Sequence, residues 1–290
     1  QEALDKIFNP TGLPNIGVIC LPTGVGKSKL AQIIIETIGH KAVFLAPSKS
    51  IFQSMVARFQ KRFGKQNVGI FGDGKKTIQH VTVATYQSVA RASPDLFSDV
   101  QVYIGDEVHR QAAKTFYKAA MEVLVHVPYR FGLSATPDDR KDGTDILIEA
   151  GVGPVIYEYT TQQAIKDGYL AKPSHVVYRV NKTSGSFITS YGEKRKSKPY
   201  GGNNDILAYR NWVLGNDLLN EFVAGMTDLF VKQDKSVLIL VDETAHGDIL
   251  TTMIHGSAFS YGTNKQNESI LKEFNARKLK VLIGTSVIGE

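Results

Sequence analysis

The stretch Leu21-Pro22-Thr23-Gly24-Val25-Gly26-Lys27-Ser28 lies between an apolar run at 16–20 and an apolar-periodic segment at 28–38 that stops at Gly39. A strand, a glycine-containing turn ending Gly-Lys-Ser and a helix are the parts of a phosphate-binding loop. Glycines let successive backbone N–H groups turn toward one point, and the N-terminus of the following helix adds positive potential there. Lys27 is placed to reach β- and γ-phosphate oxygens, and the Ser28 hydroxyl to ligate Mg²⁺. Pro22, Thr23, Gly24, Val25, Gly26, Lys27 and Ser28 are thus the candidate nucleotide-binding residues. The strict pattern G-x-x-x-x-G-K-[ST] has glycine where this chain has Leu21. An ordinary strand-to-helix turn with a solvent-facing lysine is the alternative at this point.

The 290 residues allow one large domain or two medium ones, and a charged fraction of 21% is ordinary for a globular chain. No apolar run is long enough to span a bilayer, and no basic leader with an apolar core opens the chain. The expectation is a cytoplasmic protein with no membrane partner. Because Gln1 stands first, the N-terminus is expected to be missing. A single cysteine, Cys20, excludes an internal disulfide and a cysteine metal cluster, and its place in the strand before the loop suits a small buried residue. The net charge of +6 is a mild hint of a polyanionic partner.

Along the chain, Leu4, Ile7 and Phe8 give residues 1–13 an amphipathic helical pattern. Short apolar runs suited to buried parallel strands follow at 42–46, 68–71, 81–84, 102–105 and 130–134. Ser50-Ile51-Phe52-Gln53 has capping-box spacing, and Phe52, Met55, Val56, Phe59 and Phe63 then recur at helical spacing up to Gly64. That stripe reads as core rather than as a platform for stacking bases. Residues 112–125 and 162–167 also read as helical. Alternating strands and helices argue for an α/β fold with a parallel sheet covered on both faces, where ligands bind beyond the carboxyl ends of the strands. Residues 181–205 are rich in Ser, Gly, Lys and Asn and read as a loop or linker. Its Lys194–Lys198 cluster, flanked by Tyr191 and Tyr200, is either a solvated loop, the favoured reading, or a nucleic-acid contact. A helical pattern at 217–230 precedes a second alternating series: strand 237–241, helix 246–254, strand 258–261, helix 266–276 and strand 281–284. That second α/β unit is expected to be unfinished at Glu290.

Two further stretches carry chemistry. Gly105-Asp106-Glu107-Val108-His109-Arg110 follows a strand. One carboxylate there can hold a metal through its water shell, and the other can orient or deprotonate the attacking water. A charged surface turn is the plain alternative. Leu133-Ser134-Ala135-Thr136-Pro137 also follows a strand, and its small hydroxyl residues can relay hydrogen bonds. Of the seven histidines only His109 has a motif around it; His40, His80, His126, His175 and His255 read as structural or solvent-facing.

In this order, residues 22–28, 106–109 and 134–136 resemble motifs I, II and III of superfamily 2 helicases. Ala46-Pro47-Ser48 resembles motif Ia, and Val83-Ala84-Thr85-Tyr86-Gln87-Ser88 resembles the segment after motif Ib. Thr136-Pro137 with Arg140-Lys141-Asp142-Gly143 is similar to the branch of phage repair and recombination helicases and restriction-enzyme motor subunits. Val237–Val241 with His246-Gly247 resembles motif IV, and Phe274-Asn275 with residues 281–290 resembles the approach to motif V. The resemblance implies a P-loop NTPase: a RecA-like ATP-binding lobe at 1–172, a linker or insertion at 173–234, and the start of a second RecA-like lobe at 235–290.

It also implies roles. Lys27 would bind the β- and γ-phosphates, Ser28 and Asp106 would hold Mg²⁺, and Glu107 would act on the hydrolytic water. His109, Ser134 and Thr136 would couple nucleotide state to nucleic-acid grip. Pro47, Ser48, Thr85, Tyr86 and Thr285 would lie along the nucleic-acid track, and Gln1 would read adenine. The expected cofactors are ATP and Mg²⁺. The expected partner is DNA, single-stranded, duplex or branched, ahead of RNA, and the motor is expected to be monomeric. No counterpart of the arginine-bearing motif VI occurs up to Glu290, so residues 1–290 are expected to bind ATP and hydrolyse it poorly. An arginine finger is worth about 10³–10⁵ in related phosphoryl transfer. The alternatives are a double-strand translocase of the restriction-complex kind, an ATP-gated nucleic-acid-binding module without turnover, and a P-loop ATPase unrelated to nucleic acid.

Overall fold

The computed structural model describes residues 15–109, 114–135, 145–178, 213–262, 264 and 266–285. Gln1, the expected helix at 1–13, Thr136, residues 140–143, the 181–205 loop with its lysine cluster, and 286–290 lie outside the described residues. The chain divides into two compact units, Gln1–Ser174 and His175–Glu290.

In the first unit β1 (Ile16–Cys20), α1 (Lys27–Ile38), β2 (Ala42–Ala46), α2 (Lys49–Phe63), β3 (Val68–Gly72), β4 (Lys75–Lys76) and β5 (Val81–Thr85) come first. They are followed by α3 (Tyr86–Val89), β6 (Val102–Asp106), α4 (Lys114–Lys118), β7 (Tyr129–Ser134), α5 (Asp145–Val152), β8 (Val155–Glu158) and α6 (Thr161–Lys166). The eight strands form one sheet in the order β4-β3-β5-β2-β6-β7-β1-β8. Only the β3–β4 pair is antiparallel.

Side chains alternate faces along a strand, so each central strand feeds two apolar layers. Ile19, Phe44, Ile104 and Phe131 join Ile34 and Ile35 of α1 and Phe52, Met55 and Phe59 of α2 in one layer. Cys20, Leu45 and Tyr103 join Val89, Phe116, Ala119 and Val152 in the other. The aromatic stripe of α2 is therefore core, as its spacing implied, and Cys20 is buried. The helix starts one residue before Ser50: its N-cap is Ser48, whose Oγ accepts from Ile51 N at 3.4 Å. The capping-box reading at Ser50 is corrected accordingly.

Four elements had no sequence counterpart: the two-residue β4, the single-turn α3, α5 and the edge strand β8. Val155 and Glu158 of β8 are exposed, so the continuous apolar run that marks a buried strand is missing there. The helical pattern at 112–125 resolves into the short α4 and a π-helical turn at Ala119–Val123.

The second unit holds α7 (Asp217–Lys232), β9 (Val237–Leu240), α8 (Thr244–Met253), β10 (Ser257–Ser260), α9 (Asn267–Asn275) and β11 (Val281–Gly284). Its sheet is parallel, in the order β10-β11-β9. Val223, Ala224 and Val231 of α7 pack on the same core as Leu250, Phe259, Val281 and Ile283. Residues 217–232, expected within a linker, thus form a helix of this unit.

His246 and Gly247, which resemble part of motif IV, have packing roles. Nε2 of His246 lies 2.9 Å from Asn220 Oδ1, and Asn220 Nδ2 donates to Leu214 O at 3.0 Å. Burial holds His246 below the usual histidine range, with Asp242 pulling weakly the other way. A Cβ on Gly247 would meet the Phe259 ring at 2.1 Å, so only glycine permits this approach of α8 to β10.

Candidate nucleotide-binding site

The carboxyl ends of β1, β7 and β6 are neighbours, and the candidate residues of all three motifs leave the sheet there. Leu21 N donates to Ser134 O at 2.8 Å, tying the start of the loop to the end of β7. Leu21 is only 8% exposed and packs in the layer with Ile34 and Ile35. Position 21 is therefore a core position, which accounts for leucine in place of the pattern's glycine. The turn itself does require glycine: Gly24 and Gly26 have φ of 95° and 106°. Gly26 caps α1, and its carbonyl accepts from Lys29 N at 2.9 Å and Leu30 N at 3.0 Å.

Lys27 Nζ lies 2.9 Å from Glu107 Oε1. The other oxygen, Oε2, is 3.3 Å from His109 Nδ1, and the same nitrogen is 3.2 Å from Ser134 Oγ. A continuous polar chain thus runs Lys27–Glu107–His109–Ser134 across the three strand ends. Glu107 occupies the left-handed region with φ of 50°, a conformation that costs a non-glycine residue energy and here turns its carboxylate to Lys27. Asp106, the last residue of β6, is 9% exposed and accepts from Glu107 N at 3.1 Å. Burial, and then the adjacent Glu107 charge, push its carboxyl up to about 6 against the pull of Lys27.

Five of the predicted residues, Lys27, Asp106, Glu107, His109 and Ser134, are therefore brought together. Ser28 is half-buried in the first turn of α1, Thr23 is exposed on the loop, Val25 is half-buried and Pro22 is buried.

The predicted nucleic-acid positions fare differently. Pro47 is buried. The hydroxyl of Ser48 caps α2. Thr85 caps α3, accepting from Ser88 N at 3.2 Å and donating to Ser88 Oγ at 2.8 Å. Thr285 is 8% exposed, and its N donates to Ser260 O at 3.3 Å.

Tyr86 is a correction. Its side chain is fully buried, its ring lies 4.4 Å from that of Phe116, and its hydroxyl donates to the Asp106 carbonyl at 3.1 Å. A Cβ on Gly105 would fall 2.5 Å from that hydroxyl. Tyr86 therefore braces the strand end that carries the two carboxylates and presents nothing to a nucleic acid. The exposed side chains at these strand ends are Lys49, Ser50 and Gln87. Sequence reading did not single them out as nucleic-acid contacts, although each lies near a Ser or Thr at a strand end, where a helix cap turns its neighbours outward. Tyr86→Phe keeps the ring and removes the hydroxyl, which leaves the Asp106 carbonyl without that bond. Denaturant unfolding should show a loss of about 1–2 kcal/mol; an unchanged midpoint would remove the brace.

Residues 1–139 match the family model "Type III restriction enzyme, res subunit". The chain is 30% identical over 180 residues to "DNA 3'-5' translocase XPB2" of Sulfurisphaera tokodaii, covering 62% of this chain and 38% of that protein. It is 22% identical over 250 residues to "ATP-dependent DNA helicase uvsW" of Enterobacteria phage T4, covering 82% of this chain and 47% of that protein. The chain is similar to superfamily 2 DNA helicases and to phage and restriction-type motor subunits.

The chain spans less than half the length of these two relatives, 38% and 47%. Its fold matches the Hef helicase domain of Pyrococcus furiosus with a TM-score of 0.59 at 15% identity, over 94% of this chain and 83% of that one. That likeness fixes the architecture as RecA-like α/β. Among the described residues no helix is long and apolar enough to cross a membrane.

Proposed function

We propose that this protein hydrolyses ATP and couples the hydrolysis to movement on, or unwinding of, nucleic acid, with DNA preferred to RNA. One observation carries the reading: Lys27, Asp106, Glu107, His109 and Ser134 converge at three neighbouring strand ends beside a glycine turn. The names of the archaeal translocase and the phage helicase support DNA as the substrate.

The residues fit a divalent cation. Two adjacent carboxylates, one of them nine-tenths buried, stand beside Lys27, and burial first and the Glu107 charge second raise the pKa of Asp106, a penalty that a bound cation would relieve. Asp106 and Ser28 are the residues that would hold Mg²⁺, which when bound supplies charge neutralisation at the phosphate oxygens.

The chain's own residues do the rest. The loop backbone and the start of α1 bind the phosphates. Lys27, drawn to the phosphates, leaves Glu107, and the freed carboxylate can orient a water and take its proton. His109 then remains linked through its Nδ1 to both Glu107 and Ser134, so a change at the γ-phosphate reaches the end of β7. Ser48, Thr85 and Thr285 mark segments of the proposed nucleic-acid track, with Lys49 and Gln87 as the side chains that reach outward. We take the motor to act as a monomer.

The test is ATPase activity of the protein with and without single-stranded DNA, duplex DNA and RNA, with Lys27→Ala as the control for genuine turnover. Activity that ignores every nucleic acid would sink the motor reading. Movement on duplex without strand separation is the second reading, favoured by the relative named a translocase. Strand-displacement and triplex-displacement assays run side by side separate the two.

A further inference from the structure

We propose that the groove between α1 and α2 is an additional nucleic-acid contact, holding a sugar–phosphate backbone away from the strand-end track. This rests on the motor reading above. The groove has a volume of about 420 Å³ and is lined by Ser28, Lys29 and Gln32 from α1 and by Arg58, Lys61 and Arg62 from α2. Among the described residues only Arg62 of these four cations has an acidic partner, Glu36 at 2.6 Å. Lys29, Arg58 and Lys61 are exposed and form no ion pair there. The sequence of α2, KSIFQSMVARFQKRF, holds no acidic residue at all.

Helix stability accounts for only part of this pattern. Lys61 and Arg62 stand in the last turn of α2, where the helix dipole favours cations. Lys29 stands in the first turn of α1, where the same dipole opposes a cation. Arg58 lies before the last turn of α2, with no i,i+4 acid to pair with. Three uncompensated cations around one concave surface build a positive potential suited to a polyanion with regularly spaced charges. A nucleic-acid backbone supplies such charges at a density that a single nucleotide, whose phosphates the glycine loop already takes, does not.

The experiment uses Arg58→Gln/Lys61→Gln, two exposed positions outside the nucleotide site, and a charge-keeping swap, Arg58→Lys/Lys61→Arg. Binding of labelled duplex and single-stranded DNA is measured by anisotropy across a salt series, beside a fluorescent ATP analogue. Each phosphate contact contributes about 0.9 to the slope of log affinity against log salt on duplex DNA. The glutamine pair should lose about 1.8 from that slope and bind roughly tenfold more weakly at low salt, while the charge-keeping swap keeps the parent slope. Nucleotide affinity should be unchanged in both.

An unchanged slope in the glutamine pair, with normal binding by the parent, overturns the groove and leaves the motor reading standing. A fall in nucleotide affinity with DNA binding intact assigns the groove to the nucleotide and also overturns it. Loss of slope in the charge-keeping swap as well would mark a packing effect and overturn it too. A parent protein that binds neither form of DNA overturns the groove, and the ATPase test with DNA and RNA then decides the motor reading by itself.

Discussion

Glu107→Gln is expected to lower the ATPase rate by about 10²–10⁴-fold, the usual contribution of a positioned acid–base group, with nucleotide affinity close to that of the parent. Glutamine keeps the size of the side chain and an oxygen that can accept from Lys27, now 2.9 Å from Glu107 Oε1. It cannot take a proton from water. The phosphate loop should therefore still close on nucleotide while the chemical step fails. Single-turnover hydrolysis and titration with a fluorescent ATP analogue read the two effects separately. Lys27→Ala should differ in kind, because it removes the cation that meets the phosphates and so weakens binding as well. Hydrolysis at the parent rate in Glu107→Gln would remove Glu107 from the attack on water.

Asp106→Asn is expected to raise the stability of the nucleotide-free protein by roughly 3 kcal/mol above about pH 6. The sign follows from the direction of the shift. The Asp106 carboxyl is pushed up from 3.8 to about 6. Below about 3.8 it is protonated in both folded and unfolded chains, and burial carries no electrostatic penalty. As pH rises from there to about 6, the unfolded chain releases the proton while the folded chain keeps it, so the folded state loses stability. Above about 6 the loss is complete, and asparagine, which has no charge to bury, avoids it.

Denaturant unfolding at pH values across this window should show the variant and the parent converging at the acid end and separating toward neutrality. The same change should abolish the Mg²⁺ dependence of nucleotide binding, since asparagine is a poor ligand for a hard cation. A stability gap that does not vary with pH would show that Asp106 is comfortably ionised in the free protein. In the parent, Mg²⁺-dependent nucleotide affinity should fall as pH drops below about 6, when the carboxyl takes up a proton.

The parts of the site that were legible in the sequence are those whose chemistry is local. Gly24 and Gly26 must turn the chain, Lys27 follows within one residue, and Asp106-Glu107 closes an apolar run. Each of these readings needs only a few neighbouring residues. The capping of α2 shows how narrow that locality is: Ser48 and Ser50 both precede an apolar-periodic run, and only the path of β2 into the turn selects Ser48. Strand β8 escaped notice because an edge strand buries little apolar surface and carries no continuous hydrophobic run.

Tyr86 marks the boundary between the two kinds of information. The family resemblance placed it on the nucleic-acid track, and nothing within its own segment says otherwise. What buries it is Phe116 on α4 and the carbonyl of Asp106 on β6, both distant in sequence and adjacent only once β5 and β6 flank β2. The pairing of Lys27 with Glu107 has the same origin, since residues far apart in the chain meet where β1 and β6 end in one sheet.

By itself, then, the sequence determined the alternation of strands and helices, the phosphate loop and the identity of the chemical groups. These follow from backbone propensity, apolar periodicity and side-chain type, which act over a few residues. The tertiary structure alone decided which of those groups touch, which are buried and how their charges couple. Burial and electrostatic interaction depend on distance in space, and strand order is what converts distance along the chain into distance in space.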